Sequence, residues 1–224
     1  MKKLLSILLM AFVILQGIYA DDDDDDEDEY TGVVVRSLAL FGSYDYSRLT
    51  FYDDDPYDDF DVSLEGFGFK YTRMTVSGGT NMGASFLLGC DLGFSYMSLD
   101  IPEQSSASLN GFQTGFKVGF GLAPVCNDNL IVAAHAFLGG NYKDLDGSYR
   151  KRSIRYTAYD MCLGLDCILT VKSSKNLNIF AGLDVSSSVK RAAIINYTDD
   201  SHDANLGTNI SVNASCGIAW VFDD

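Results

Sequence analysis

The chain has 224 residues, with 31 acidic side chains against 16 basic ones and a formal net charge of −15. That balance excludes a nucleic-acid-binding face, which needs clustered Lys and Arg. Hydrophobic residues make up 47% of the chain, yet past residue 20 there is no run of ~18 apolar residues, which excludes a transmembrane helix.

In chain order, Lys2 and Lys3 form a basic start, Leu4 to Leu15 an apolar core, and Ile18-Tyr19-Ala20 a cleavage site ending on a small residue. Residues 1–20 are predicted to be a cleaved secretory signal peptide, too short and wrongly flanked to span a bilayer. The unbroken acidic run Asp21 to Glu29 follows. Like charge this dense cannot collapse around a core, so 21–30 is expected to be a disordered tail. The folded part is then 31–222.

Eight strands are predicted, near 32–41, 62–72, 82–98, 108–122, 129–142, 154–171, 177–190 and 206–222. The third sets Ala84, Phe86, Leu88, Cys90, Leu92, Phe94 and Tyr96 against Gly83, Ser85, Gly89, Asp91, Gly93 and Ser95. The last sets Thr208, Ile210, Val212, Ala214, Cys216, Ile218, Trp220 and Phe222 against Gly207, Asn209, Ser211, Asn213, Ser215, Gly217 and Ala219. A period of two is the mark of a strand with unlike faces. These segments exceed the ~5–6 residues of an ordinary strand and reach the ~9–11 that cross a bilayer at a tilt.

The connections alternate in length. Long loops are expected at 42–61, 143–153 and 191–205, with short turns at 123–128 and 172–176, the asymmetry of outer-membrane barrels. Asp146-Gly147 is a hairpin-tip signal in the second long loop, and Pro56, Pro102 and Pro124 are all assigned to connections. Tyr96, Tyr142 and Tyr156 gather at the loop end of their strands, Trp220 and Phe222 at the turn end, as interfacial belts do.

The polar stripe is rich in Gly, Ser and Asn, whereas a water-facing exterior carries many Lys and Glu. Small residues with scattered charges suit the interior of a narrow barrel, and the Phe, Leu, Val and Tyr stripe suits lipid. The expected fold is all-β, an eight-stranded antiparallel up-and-down transmembrane β-barrel. The end of the chain, Ser215-x-Gly217-x-x-Trp220-x-Phe222, resembles the C-terminal assembly signal of bacterial outer-membrane barrels. Residues 31–222 as a whole resemble the small eight-stranded members of that class, the OmpA-type transmembrane domain and OmpX/OmpW-like proteins. The resemblance implies residence in the bacterial outer membrane, contact with its lipids, and insertion by the barrel-assembly machinery.

Few residues suggest chemistry. His135 lies in the fifth strand on the inward parity, and the run His135-Ala136-Phe137 lacks the serine of a His-x-Ser deacylase site. His202 has Ser201, Asp199, Asp200 and Asp203 beside it in a loop, which does not hold a triad in geometry. The acids from Asp53 to Asp61 lack the calcium-loop framework, and the five cysteines show no metal-ligand spacing. No catalytic residue, metal or cofactor is expected.

Charges on the inward parity form the more telling set. Lys70, Asp91, Lys117, Asp160, Asp166 and Asp184, with Arg36, are expected to pair across the lumen and plug it. A second set, Lys143, Arg150, Lys151, Arg152 and Arg155, forms a basic loop able to meet anionic lipid or glycan. Interleaved Tyr and Asp in 42–61 suggest a contact surface for an extracellular ligand. The leading expectation is a non-enzymatic outer-membrane barrel with an envelope or surface-contact role. The alternatives are a narrow channel or hydrophobic-solute conduit of the OmpW kind, and a soluble exported β domain.

Overall fold

The computed structural model describes residues 32–51, 60–77, 83–99, 107–149, 152–173, 177–197, 200–206 and 209–223; the predicted signal peptide and acidic tail lie outside them. Among the described residues nine strands make eight staves: β1 (Gly32–Phe51), β2 (Phe60–Ser77), β3 (Gly83–Leu99), β4 (Ala107–Cys126), β5 (Leu130–Tyr149), β6 (Arg152–Lys172), β7 (Asn178–Tyr197), β8 (Asp200–Leu206) and β9 (Ile210–Asp223). Strands β8 and β9 lie end to end in one stave, each paired with β7 on one side and β1 on the other. All pairings are antiparallel, and β1–β2 closes the ring. Closure pairs every wall strand on both sides, which removes the exposed edges a lone sheet would carry.

Register fixes the tilt. Stepping between partners from Val35 leads through Met74, Leu87, Gly119, Phe137, Gly164, Ser186 and Ser211 to Asp45, ten residues farther along β1. With ~3.3 Å per residue along a strand and ~4.8 Å between strands, that stagger over eight staves implies a tilt of roughly 40°.

Two bulges interrupt the ladders. One falls in β4 between Leu122 and Val125 and takes in Pro124, which the sequence pattern assigns to a connection. A bulge leaves a residue out of the ladder, so the absent N–H of proline costs nothing there. The other lies where Met161 pairs with Lys190 and Cys162 with Ser188, leaving Val189 out. Near it the eighth stave breaks between β8 and β9, and the Ser188 N–H donates to Asn209 Oδ1 at 2.9 Å.

The strands overrun the predicted loops. β1 continues to Phe51 through the tyrosine and aspartate segment, so of the expected loop 42–61 only 52–59 lies outside the described residues. Of the expected loops 143–153 and 191–205, residues 143–149, 152–153, 191–197 and 200–205 are strand, and Asp146 and Gly147 pair with Arg155 and Ile154 inside the β5–β6 ladder. Asp, Asn and Gly are turn formers by local preference. A hairpin ladder hydrogen-bonds any residue that offers an N–H and a C=O, so cross-strand pairing overrides that preference here.

The inner face has three levels. At the turn end, Val35, Met74, Leu87, Ile131, Ile168, Phe180 and smaller neighbours form one buried apolar cluster. At the loop end, Leu64, Met97, Leu109, Leu145, Ile154 and Tyr156 are fully buried. Tyr156 therefore faces inward, sharing the parity of Ala158 and Asp160, and does not belong to the outer aromatic belt expected from sequence. Between the two apolar levels lies a polar one.

Candidate functional site

The polar middle level of the lumen is the candidate site. It surrounds a cavity of about 50 Å³ lined by Asp45, Lys70, Asp91, Lys117, Lys143 and Asp184 among others, room for about three or four waters. Each charge is inward because it falls on the buried parity of its strand.

Asp184 on β7 is the hub. Its Oδ2 accepts from Lys70 Nζ at 2.8 Å and from Lys117 Nζ at 3.0 Å, and its Oδ1 accepts from Asn213 Nδ2 at 2.8 Å. Lys117 also donates to Asp166 Oδ2, and Lys70 lies 4.0 Å from the same atom. Five staves are thus braced across the lumen by one network. Charges withdrawn from water are tolerable only when partners replace the lost solvation, and this geometry supplies them. Two glycines make the space: a Cβ on Gly89 would lie 3.0 Å from Lys117 Cγ, and one on Gly115 would lie 2.7 Å from Asp91 Oδ2.

Toward the loop end a second pair spans the barrel, with Lys143 Nζ donating to Asp45 Oδ2. Beside it Gln113 joins two more staves, accepting from Ser95 Oγ at 2.6 Å and donating to Ser43 Oγ at 3.3 Å. Toward the turn end His135 Nε2 lies 2.8 Å from Ser85 Oγ. Ser85 and His135 are 4% and 2% exposed and lie against the apolar cluster, so a substrate has no path to the hydroxyl. Among the described residues the His135 Nδ1 has no hydrogen-bond partner.

Most of the predicted lumen set is where parity places it. Lys70, Lys117, Asp166 and Asp184 meet in the network. Asp91 lines the cavity as the register partner of Lys70, and Asp160 is buried on the inner face of β6. Arg36 is the exception. It occupies an even position of β1, where the inward residues are odd, and its guanidinium lies 4.9 Å from the centroid of the Phe222 ring on the outer face.

Of the predicted basic loop, Lys143 and Arg155 have described side chains, and these two do not meet. Lys143 is a lumen residue paired with Asp45, because β5 carries its alternation past Tyr142. Arg155 stands on the outer face of β6, where Nε and Nη2 donate to Asp144 Oδ1 and Oδ2 at 2.9 and 2.6 Å. That fork holds the Asp144 carboxyl below the usual carboxylate range and raises the guanidinium. Arg150 and Lys151, like the acids from Asp53 to Asp59, lie outside the described residues; Arg152 begins β6 and His202 falls in β8, both without described side chains.

Sequence reasoning misses the pairs Asp45–Lys143 and Ser85–His135. Parity alone could signal the first, since Asp45 shares the inward set of Val35 and Ser37, but the composition of its segment points to a loop. The second joins strands 50 residues apart and needs the three-dimensional register.

The assembly-signal residues lie in β9, with Ser215 buried on the inner face and Trp220 and Phe222 on the outer face. That outer face is apolar: Phe67 and Phe120 are 67% and 68% exposed, and Leu165 is 67% exposed. Aromatics bound it at both ends. On the loop side Tyr142 stacks between Phe112 and Tyr159, at centroid distances of 5.5 and 4.8 Å. On the turn side Phe86 meets Phe120 at 4.9 Å, and Trp220 and Phe222 stand at the same end of β9.

The outer membrane protein OprG from Pseudomonas aeruginosa is similar to this chain at a TM-score of 0.59 and 7% identity, covering 89% of this chain and 100% of its own. The fold is that of the small eight-stranded outer-membrane β-barrels. A major outer membrane protein from Thermus thermophilus matches the barrel at a TM-score of 0.52 and 11% identity, over 81% of this chain and 99% of its own. The outer membrane protein AlkL, determined in lipid bilayers, matches it at 0.51 and 11%, over 92% and 97%. No protein-family model matches the sequence, and no curated protein does.

Proposed function

We propose that this protein is an integral outer-membrane barrel, non-enzymatic and closed along its axis, which acts in the envelope through its lipid-facing wall and its loop-end rim. The observation that carries the closed lumen is its layering. An ion-paired level around about 50 Å³ of space lies between the apolar cluster of Val35, Met74, Leu87 and Phe180 and the buried Leu64, Met97, Leu109 and Leu145 of β2 to β5. Ions would have to cross two apolar constrictions, where dehydration is costly. An eight-stranded barrel has room for its own side chains and little else.

The outer face supports the membrane part of the reading. From Phe112 to Phe120 along β4 is eight residues, which at a ~40° tilt rise about 20 Å, comparable to the ~25 Å apolar band of such barrels. Exposed Phe and Leu in this number would make a water-soluble β domain aggregate. The lumen layers weigh in the same way against the narrow-conduit alternative. Lipids, the barrel-assembly machinery that inserts such folds, and an extracellular ligand at the rim are the proposed partners.

Refolded protein in planar bilayers tests the closed lumen. The expected record is flat, with no discrete steps, from a sample whose band shifts on SDS gels between unheated and boiled forms. Reproducible unitary conductance abolished by Lys117→Ala would overturn the reading in favour of a conduit. A mature chain recovered in a detergent-free supernatant after a salt wash, with no heat-dependent shift, would overturn the membrane assignment.

A further inference from the structure

Glu65 takes no part in the lumen network or in the Asp144 fork. It is exposed on the outer face of β2, five residues from the loop end of that strand at Phe60. Its direct register partners are Tyr44 on β1 and Tyr96 on β3, both exposed. Directly opposed side chains on neighbouring strands have Cβ atoms about 5 Å apart, so the carboxyl stands between two tyrosines. Among the described residues it has no hydrogen bond and no ion pair, whereas Asp144 and Asp146 on the same face have Arg155. Toward the turn end the wall turns apolar at once, with Phe67 and Phe69 on β2, Leu40 on β1, and Phe94 and Leu92 on β3, all exposed. This apolar wall has a notch. The register partner of Phe67 on β1 is Gly42, and a Cβ added there would meet nothing nearer than Gly66 O at 4.0 Å. A bare carboxylate thus sits at the upper edge of the apolar band, between two rings of the loop-side aromatic belt and above an opening in the wall.

We propose that Glu65, Tyr44 and Tyr96 hold the ammonium group of a zwitterionic lipid in the membrane leaflet at the loop end of the barrel. The inference rests on the outer-membrane reading above. Loops face outward in such barrels, so the site meets the outer leaflet at headgroup depth. A carboxylate at the edge of hydrocarbon loses part of its hydration, and an ammonium group beside it replaces that solvation. Aromatic faces attract a cation within about 6 Å of the ring centroid, which is how aromatic cages bind substituted ammonium groups. A cation seated on Glu65 has such a ring rooted on either side. Charge selects the headgroup. A wholly anionic lipid is repelled by the carboxylate, whereas a zwitterionic one offers its ammonium and keeps its phosphate several bonds away. The acyl chains of the bound lipid then lie along Phe67 and Leu40, over the notch at Gly42.

A zero-length carbodiimide joins a carboxyl to a primary amine only where the two touch, so it reads this contact directly. The experiment reconstitutes the barrel in vesicles of phosphatidylglycerol and phosphatidylethanolamine, applies the reagent, and locates lipid-bearing peptides by mass spectrometry. Phosphatidylethanolamine is expected on Glu65 about fivefold more than on Asp146, although the Asp146 side chain is 74% exposed on the same face. Glu65→Gln abolishes that adduct. Tyr44→Leu or Tyr96→Leu each lowers it about two- to fivefold, and the Phe variants, which keep the ring, restore most of it. Added phosphatidylcholine, which has no amine to couple, competes for the site, and added phosphatidylglycerol does not. Equal coupling at Glu65 and Asp146, unchanged by the leucine variants, overturns the site while leaving the membrane reading intact. Barrel that stays outside the vesicles and shows no heat-dependent gel shift defeats that reading first. If free ethanolamine couples to Glu65 as well as the lipid does, the site is for a soluble amine and the lipid assignment falls. It falls equally if Glu65 is found joined to a lysine of a second copy of the chain.

Discussion

The stem of Lys117 lies across Gly89: a Cβ added there would stand 3.0 Å from Lys117 Cγ and 3.2 Å from its Cε. The two residues are register partners on β4 and β3, so the ammonium group reaches the far wall only because its neighbour has no side chain. Replacing Gly89 with Val should force the lysine off its path and loosen its bonds to Asp166 and Asp184. The expected loss is about 1–3 kcal/mol, the usual cost of overpacking, read as a lower urea midpoint in lipid bilayers. Gly89→Ala, with one methyl at that distance, should cost less. Equal stability of Gly89→Val and the parent would argue against the observed lysine path.

Removing the lysine itself is a separate test. Lys117→Ala leaves Asp166 with only Lys70, 4.0 Å away, and leaves Asp184 with one lysine in place of two, at a cost of roughly 3–5 kcal/mol. A double change, Lys117→Met with Asp166→Leu, removes one cation and one anion and restores apolar packing. It should recover most of that loss. A double variant as unstable as the single one would mean that the charges do more than solvate each other.

At the loop end, the contribution of Asp144 depends on pH. Its carboxyl is held below its ordinary value chiefly by the Arg155 hydrogen bonds. A depressed folded value stabilises the protein above the unfolded carboxylate range and ceases to do so as pH falls through the folded value. The Arg155 side chain is 54% exposed, so screening keeps the effect below about 1 kcal/mol. Arg155→Gln should therefore lower the temperature of the gel shift slightly at pH 7 and by less at pH 3. A difference of equal size at both pH values would contradict the ion pair.

The five free cysteines report facing. Cys167 and Cys216 are exposed on the outer wall and Cys162 is buried on the inner face. In vesicles, an apolar maleimide should label Cys167 and Cys216 while a charged, impermeant one does not. Cys162 should resist both until the barrel is unfolded. Fast labelling of Cys162 by the charged reagent would indicate an open, wetted lumen.

Much of this structure is legible in the sequence because a period of two is a local property. Ala84 to Tyr96 and Ile210 to Phe222 announce their faces without knowledge of any partner strand, so parity alone places Lys70, Lys117, Asp166 and Asp184 inside. What fails locally is where a strand stops. Asp45 and Lys143 escape notice because acids, tyrosines and glycines look like loop, although the ladder continues through them. Arg36 is expected inward, yet its neighbours Val35 and Ser37 are the buried ones. Ser85 and His135 cannot be matched at all from sequence, since their meeting depends on the stagger of the whole ring.

That stagger makes the wall count its residues in pairs. One turn around the ring from Val35 ends at Asp45, an even step that brings inner face back to inner face. An odd insertion in any stave would return an outer residue to an inner position, as Tyr44 or Tyr46 would be where Asp45 stands. The bulges beside Pro124 and at Val189 are the devices by which an odd residue can be held without that inversion. Sequence drift in this protein should therefore proceed by substitutions and paired indels within staves, with single-residue length changes confined to the ends of hairpins and to those two bulges.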